Sequence, residues 1–83
     1  MKVRVKLYAM LADYLPAGAV KNEVDVELPE GTAVSEALAS LQMPIEQCHL
    51  VLVNGVFIAP SERSARRLAE GDALAVWPPV AGG

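Results

Sequence analysis

The sequence predicts an α+β fold in which one helix covers one face of a mixed sheet of about five strands. Three observations predict it: two segments alternate between apolar and charged residues, one has apolar residues at helical spacing, and an Asn-Gly pair separates two apolar runs. The chain has 83 residues, of which 53% are hydrophobic, so it is too apolar for disorder and too short for a second core. We therefore expect one domain over residues 1–77 and an extended tail over residues 78–83.

Two alternating segments open the chain. Residues 2–8 alternate between apolar and mainly basic side chains, and residues 23–28 alternate between apolar and acidic ones, which is the period of a half-buried strand. An antiparallel hairpin of the two would place their opposite charges side by side on the outer face. Between them, residues 10–15 predict a helical turn that ends at Pro16.

The next segment predicts the one main helix. Thr32 is a suitable N-cap, and Val34, Leu38 and Leu41 follow at i, i+4 and i+7. Met43 and the proline after it end the helix.

The second half of the chain predicts three further strands. Residues 50–53 and 56–58 flank Asn54-Gly55, the strongest two-residue hairpin signal. Residues 60–67 are polar and predict a loop, residues 70–72 predict a turn, and residues 74–77 predict the last strand.

Composition argues against several functional classes. The net charge is −3 and the pI is near 4.9, so the chain is acidic, whereas binding to the negatively charged backbone of nucleic acid requires a basic surface. Apolar runs are far shorter than the roughly 20 residues of a membrane span, and the interleaved basic residues at the N-terminus do not resemble a secretory signal, so we expect a cytoplasmic protein. One cysteine and one histidine predict neither a disulfide, a metal site nor a catalytic triad, so a self-sufficient enzyme is not expected.

The chain ends in a segment whose side chains become progressively smaller. Its residues are Pro78, Pro79, Val80, Ala81, Gly82 and Gly83. Two prolines favour an extended exit from the domain, and six residues reach about 20 Å at about 3.3 Å each. Two glycines can pass a narrow channel and leave the terminal carbonyl unhindered. A carboxylate must be activated before it reacts, so a function through this end implies an ATP-dependent adenylating partner. The alternative is a frayed terminus without a role.

The whole chain resembles the MoaD family of ubiquitin-like sulfur carriers, the small subunits of molybdopterin synthase. The resemblance rests on Leu7-Tyr8-Ala9, Leu28-Pro29-Glu30-Gly31-Thr32, Val53-Asn54-Gly55, Glu70-Gly71-Asp72 and above all the final hexapeptide. It implies a β-grasp fold whose first and last strands are parallel neighbours.

The resemblance also implies a reaction cycle centred on Gly83. An E1-like adenylyltransferase would adenylate this carboxylate using ATP and magnesium, and a sulfur donor protein would convert it to a thiocarboxylate. The tail would then enter the large synthase subunit, where two carriers in succession deliver sulfur to cyclic pyranopterin monophosphate. The chain itself would bind no cofactor and would be a non-catalytic, sulfur-donating subunit of an assembly of two small and two large subunits.

A docking face is predicted beside the tail. Alternation along the first and last strands directs Tyr8 and Trp77 outward together, and these residue types are enriched at interface centres. Phe57 is a further candidate, and the resemblance places all three at positions that contact the large subunit. The alternative is that residues 10–15 of the chain itself cover the two rings.

Other reactive or charged residues receive a structural interpretation. Cys48 and His49 would point to opposite faces, so Cys48 is predicted to be a half-buried structural cysteine. Arg63, Arg66 and Arg67 form a basic cluster that could steer an acidic partner or approach an anionic substrate, but three such charges are more typical of a solvated loop.

Two other functions remain open at this point. One is a carrier of the same fold that serves thiamine thiazole or cysteine formation. The other is a non-catalytic interaction module that recruits partners through Tyr8 and Trp77 while its Gly-Gly end is inert.

Overall fold

The structure is a computed structural model that describes residues 1–79. Over that range the strands are β1 (Lys2–Leu7), β2 (Glu23–Glu27), β3 (Leu50–Val53), β4 (Val56–Phe57) and β5 (Ala73–Trp77), and the helix is α1 (Val34–Ser40). Short 3₁₀ segments lie at Ala9–Tyr14, Ile45–Gln47 and Pro60–Glu62. No helix within residues 1–79 is long and apolar enough to cross a membrane.

The strands form one mixed sheet in the order β2-β1-β5-β3-β4. β1 pairs antiparallel with β2 and parallel with β5, with Leu7 opposite Val76, and β3 pairs antiparallel with β4 and β5. The predicted α+β fold, the opening hairpin and the parallel pairing of the first and last strands are confirmed. This is the ubiquitin-like β-grasp arrangement.

The core lies between the inner face of the sheet and α1. Every second residue of the central strands is buried, and α1 adds Val34, Ala37 and Leu38 to the same cluster. Burial of these side chains offsets the entropy of ordering so short a chain.

The basic and acidic side chains on the outer face of the β1–β2 hairpin form ion pairs, as predicted. Nε of Arg4 donates to Asp25 at 2.9 Å and its Nη1 donates to Glu23 at 3.2 Å. The hydrogen bond from Arg4 lowers the pKa of Asp25 below its usual value. A carboxyl group whose pKa is lower in the folded than in the unfolded state stabilises the fold at pH values above its ordinary pKa. The contribution of Asp25 is therefore lost as the pH falls through its depressed pKa.

The predicted N-cap is wrong by one residue. The cap position is Ala33, and its backbone N–H donates to the Glu36 carboxylate at 2.8 Å. The Thr32 hydroxyl instead donates to the carbonyl of Pro29 at 2.6 Å, so it stabilises the turn before the helix.

The turn between β3 and β4 is tied to the start of β5. Asn54 and Gly55 have φ values of 51° and 82°, as a type I′ turn requires. The Asn54 amide donates to Asp72 and accepts from the Ala73 N–H, both at 2.9 Å. Asp72 also accepts from the Ala69 N–H at 2.8 Å, which stabilises the turn predicted at residues 70–72.

The segment from residue 60 to residue 67 differs from the predicted solvated loop. It contains the 3₁₀ segment Pro60–Glu62, and Arg63 is only 5% exposed. The carbonyls of Arg63 and Arg66 each accept a helical N–H of α1 at 2.9 Å, satisfying donors that a helix start leaves free. This pairing brings Arg63 against the helix, while Arg67 is exposed as expected.

Candidate functional site

Two aromatic rings meet where β1 and β5 end. Tyr8 and Trp77 stack with ring centroids 4.3 Å apart and planes 5° from parallel. The parallel register brings them together, because Leu7 lies opposite Val76 and the Tyr8 N–H donates to the Val76 carbonyl at 3.1 Å. Both residues are half-buried. Each ring therefore covers part of the other and leaves part of its surface open.

The strand register places an apolar patch beside this pair. Leu50 lies opposite Trp77, and Leu52 lies opposite both Ala75 and Phe57. Residues paired across strands, or two apart along one strand, share a face. Tyr8, Leu50, Leu52, Phe57 and Trp77 therefore share the face of the sheet opposite α1, and we call these five residues the outer patch.

The outer patch joins the three predicted contact residues and adds two that were not predicted. Phe57 is 52% exposed and shares the face of Trp77, which its short strand alone did not determine. Leu50 and Leu52 were not identified from the sequence. The sequence feature that could have identified them is the unbroken apolar run of β3, which leaves no polar residue for the outer face.

The tail begins next to this patch. The carbonyl of Trp77 accepts the His49 N–H at 3.0 Å as β5 ends. Pro78 is buried and Pro79 is exposed. The remaining predicted tail residues, Val80, Ala81, Gly82 and Gly83, lie outside the described residues.

The model of the ThiS family matches residues 5–83. The chain belongs to the ThiS family. This confirms the coarser part of the resemblance, a β-grasp chain with the ubiquitin-like sulfur carrier fold, and it leaves the pathway open. No curated protein matches the chain.

Solved structures similar to this ThiS family chain come from several branches of the fold. SAMP1 from Haloferax volcanii is 28% identical over all of both chains, with a TM-score of 0.71. A putative molybdopterin converting factor, subunit 1, from Pyrococcus furiosus is 26% identical over 95% of this chain and 98% of that one, with a TM-score of 0.66. A complex of subunits 1 and 2 of the molybdopterin-converting factor from Helicobacter pylori contains a chain 21% identical over all of both chains, with a TM-score of 0.62.

Within residues 1–79 of this ThiS family chain, the outer patch presents exposed apolar side chains on the face of the sheet opposite α1. Residues 1–79 contain no group of three or more His, Cys, Asp or Glu side chains positioned to hold a metal ion. Cys48 is buried while the adjacent His49 is exposed, as predicted from their opposite directions.

Cys48 is expected to resist alkylation in the native state. It is 3% exposed, its thiol lies 3.6 Å from the Pro44 carbonyl, and burial raises its pKa, so little reactive thiolate is available near neutral pH. We expect modification by iodoacetamide at pH 8 to be at least about tenfold slower in the native chain than in urea. A native rate equal to that of a short cysteine peptide would contradict this interpretation.

Proposed function

We propose that this chain is the sulfur carrier subunit of a molybdopterin synthase. The observation that carries the proposal is the outer patch, where Trp77, the residue before Pro78, stacks on Tyr8 and pairs with the exposed Leu50. Such a surface binds a partner protein while the tail extends into the active site of that partner. Similarity over nearly the full length to the putative molybdopterin converting factor, subunit 1, supports this choice of pathway.

In the proposed cycle the reactive group is the carboxylate of Gly83. An E1-like adenylyltransferase joins this carboxylate to AMP from ATP, with magnesium, and releases pyrophosphate. Sulfur at the oxidation level of sulfide, delivered by a donor protein, then attacks the acyl carbon and forms a C–S bond, the bond to AMP breaks, and Gly83 is left as a thiocarboxylate. In the large subunit, two such carriers in succession transfer sulfur to cyclic pyranopterin monophosphate and form the dithiolene of molybdopterin.

The partner supplies what the described residues of this chain lack. General acid, general base and anion-binding groups belong to the large subunit in this proposal, and the carrier contributes reach and activated sulfur. The chain binds no cofactor of its own. Two small and two large subunits make up the proposed assembly, and the complex of subunits 1 and 2 from Helicobacter pylori supports pairing with a second subunit.

A carrier for another pathway is the second candidate. The family model that matches residues 5–83 is that of ThiS, which favours sulfur delivery to thiamine thiazole. The two candidates share the chemistry at Gly83 and differ in the enzyme that accepts the sulfur.

Complementation of two bacterial strains separates the candidates. One strain lacks its molybdopterin synthase small subunit, and the other lacks its thiazole sulfur carrier. We expect the chain to restore a molybdoenzyme activity in the first strain, with no thiamine-independent growth in the second. Rescue of the second strain alone would replace the proposed pathway with the thiazole pathway.

Trp77→Ala is expected to weaken binding to the large subunit by about 2 kcal/mol or more, roughly a 30-fold rise in Kd, because a central aromatic anchor is lost. The matched control is Val56→Ala, which truncates an exposed residue of β4 that points to the other face. Calorimetric titration measures both, and circular dichroism confirms that each variant is folded. An unaltered affinity in folded Trp77→Ala would remove Trp77 from the interface.

A further inference from the structure

A cavity of about 540 Å³ lies between α1 and the 3₁₀ segments Ile45–Gln47 and Pro60–Glu62. Leu38, Met43 and Ile45 contribute to its largely apolar wall. Sites for small molecules typically have volumes of about 300–1,000 Å³. The cavity lies on the helix side of the sheet, whereas the outer patch occupies the opposite face.

The cavity is lined by a cation whose hydrogen-bonding capacity is largely unused. Arg63 is 5% exposed, and among residues 1–79 its guanidinium makes one hydrogen bond, from Nη2 to the His49 carbonyl at 3.5 Å. Its Nε is buried and has no partner among the described residues. No carboxylate of residues 1–79 lies within 4.0 Å of the Arg63 guanidinium. A buried charge is costly unless it is paired, so this group has an unmet requirement for an anion.

The guanidinium of Arg67 has better hydrogen-bonding and ionic partners than that of Arg63. It is exposed, yet its Nη1 donates to the Gly31 carbonyl at 2.9 Å and lies 3.7 Å from the Glu36 carboxylate. Arg63 is the more buried of the two and has the poorer partners. Arginine is rarely buried without a charged partner, and the pairing of its segment with the start of α1 places Arg63 in that position.

One acidic residue also faces this region. Glu46 is exposed and lines the cavity. Burial is the main cause of the raised pKa of the Cys48 thiol, and the nearby Arg63 guanidinium and Glu46 carboxylate act on that pKa with opposite signs, Arg63 lowering it and Glu46 raising it. An anion bound at Arg63 would therefore experience repulsion from Glu46.

We propose that this cavity binds a small organic carboxylate. The carboxylate would pair with the Arg63 guanidinium, which presents a planar fork of donors suited to it. The aliphatic part of the ligand would lie against Leu38, Met43 and Ile45. The apolar wall favours an organic acid over inorganic phosphate, which has no apolar part to bury.

Titration of the full-length, ¹⁵N-labelled chain with three probes tests the proposal. The probes are hexanoate, 1-hexanol and inorganic phosphate, and the readout is the amide signals of Leu38, Ile45 and His49. We expect saturable shifts with hexanoate, at least about tenfold weaker binding of hexanol, which lacks the charge, and no saturable response to phosphate. Equal binding of hexanoate and hexanol, stronger binding of phosphate, or no response to hexanoate would each overturn the proposal.

Two variants test the placement of the carboxylate. Arg63→Met should abolish the preference for hexanoate over hexanol, provided that its spectrum shows a folded chain. Glu46→Gln changes an exposed residue and should tighten hexanoate binding by about two- to fivefold, the size of an interaction between accessible charges. Glu30→Gln is the matched control, because Glu30 is exposed and does not line this cavity. Unchanged or weaker hexanoate binding in Glu46→Gln would overturn the placement at Arg63.

Discussion

Deletion of Gly83 is expected to abolish sulfur transfer and leave the fold unchanged. Removing one residue withdraws the terminal carboxylate by about 3.3–3.6 Å. A reacting group misplaced by about 1 Å can already cost about 10²-fold in rate, so we expect a loss of at least that size. The buried core cluster lies within residues 3–76, so the melting temperature should not change.

Gly83→Ala separates length from bulk in the same assay. It keeps the reach of the tail and adds one Cβ next to the reacting carbonyl, so we expect a smaller loss than the deletion causes. The measurement is molybdopterin formation with the large subunit and the activating enzymes, together with thermal unfolding of each variant. Full transfer by the Gly83 deletion would show that the reaction does not use this carboxylate.

Leu74→Ala is expected to destabilise the domain by about 2–5 kcal/mol. Leu74 is fully buried in β5, between β1 and β3, and belongs to the main core cluster. Its truncation removes apolar contacts and leaves a cavity that the central strands close only in part. The free energy of unfolding of a small domain is about 5–15 kcal/mol, so this variant would lose a large part of its stability.

Leu50→Ala is the matched control, since it makes the same chemical change in the neighbouring strand. Leu50 is 36% exposed on the outer patch, so we expect a cost of about 1 kcal/mol. Urea unfolding followed by circular dichroism measures both variants. Equal destabilisation of the two would contradict the assignment of the inner face as the core.

Alternating polarity predicted most of the fold because burial on one face imposes it. β1 and β2 each have one charged side, which fixes the strand period and the inner residues. Asn54-Gly55 likewise required the left-handed backbone of its hairpin turn. The parallel pairing of β1 with β5 came from the family resemblance, because strand periodicity alone does not identify the neighbours of a strand.

The errors arise where a polar side chain finds a partner that is distant or unexpected. The Thr32 hydroxyl bonds to Pro29 rather than to the helix. Arg63 is buried because its segment pairs with the start of α1, a contact that local composition does not encode. The two missed residues of the outer patch, Leu50 and Leu52, belong to the unbroken apolar run of β3. That run does not show whether one face of the strand or both are buried, because this depends on which elements cover the sheet.

Sulfur is expected on the terminal carboxylate of Gly83, and intact mass spectrometry detects it. The full chain is incubated with ATP, magnesium, a sulfur source and an extract that modifies a known carrier. We predict that the chain exchanges one oxygen for one sulfur, and that the exchange maps to Gly83. An unchanged mass, in an extract that still modifies the known carrier, would show that Gly83 of this chain does not accept sulfur.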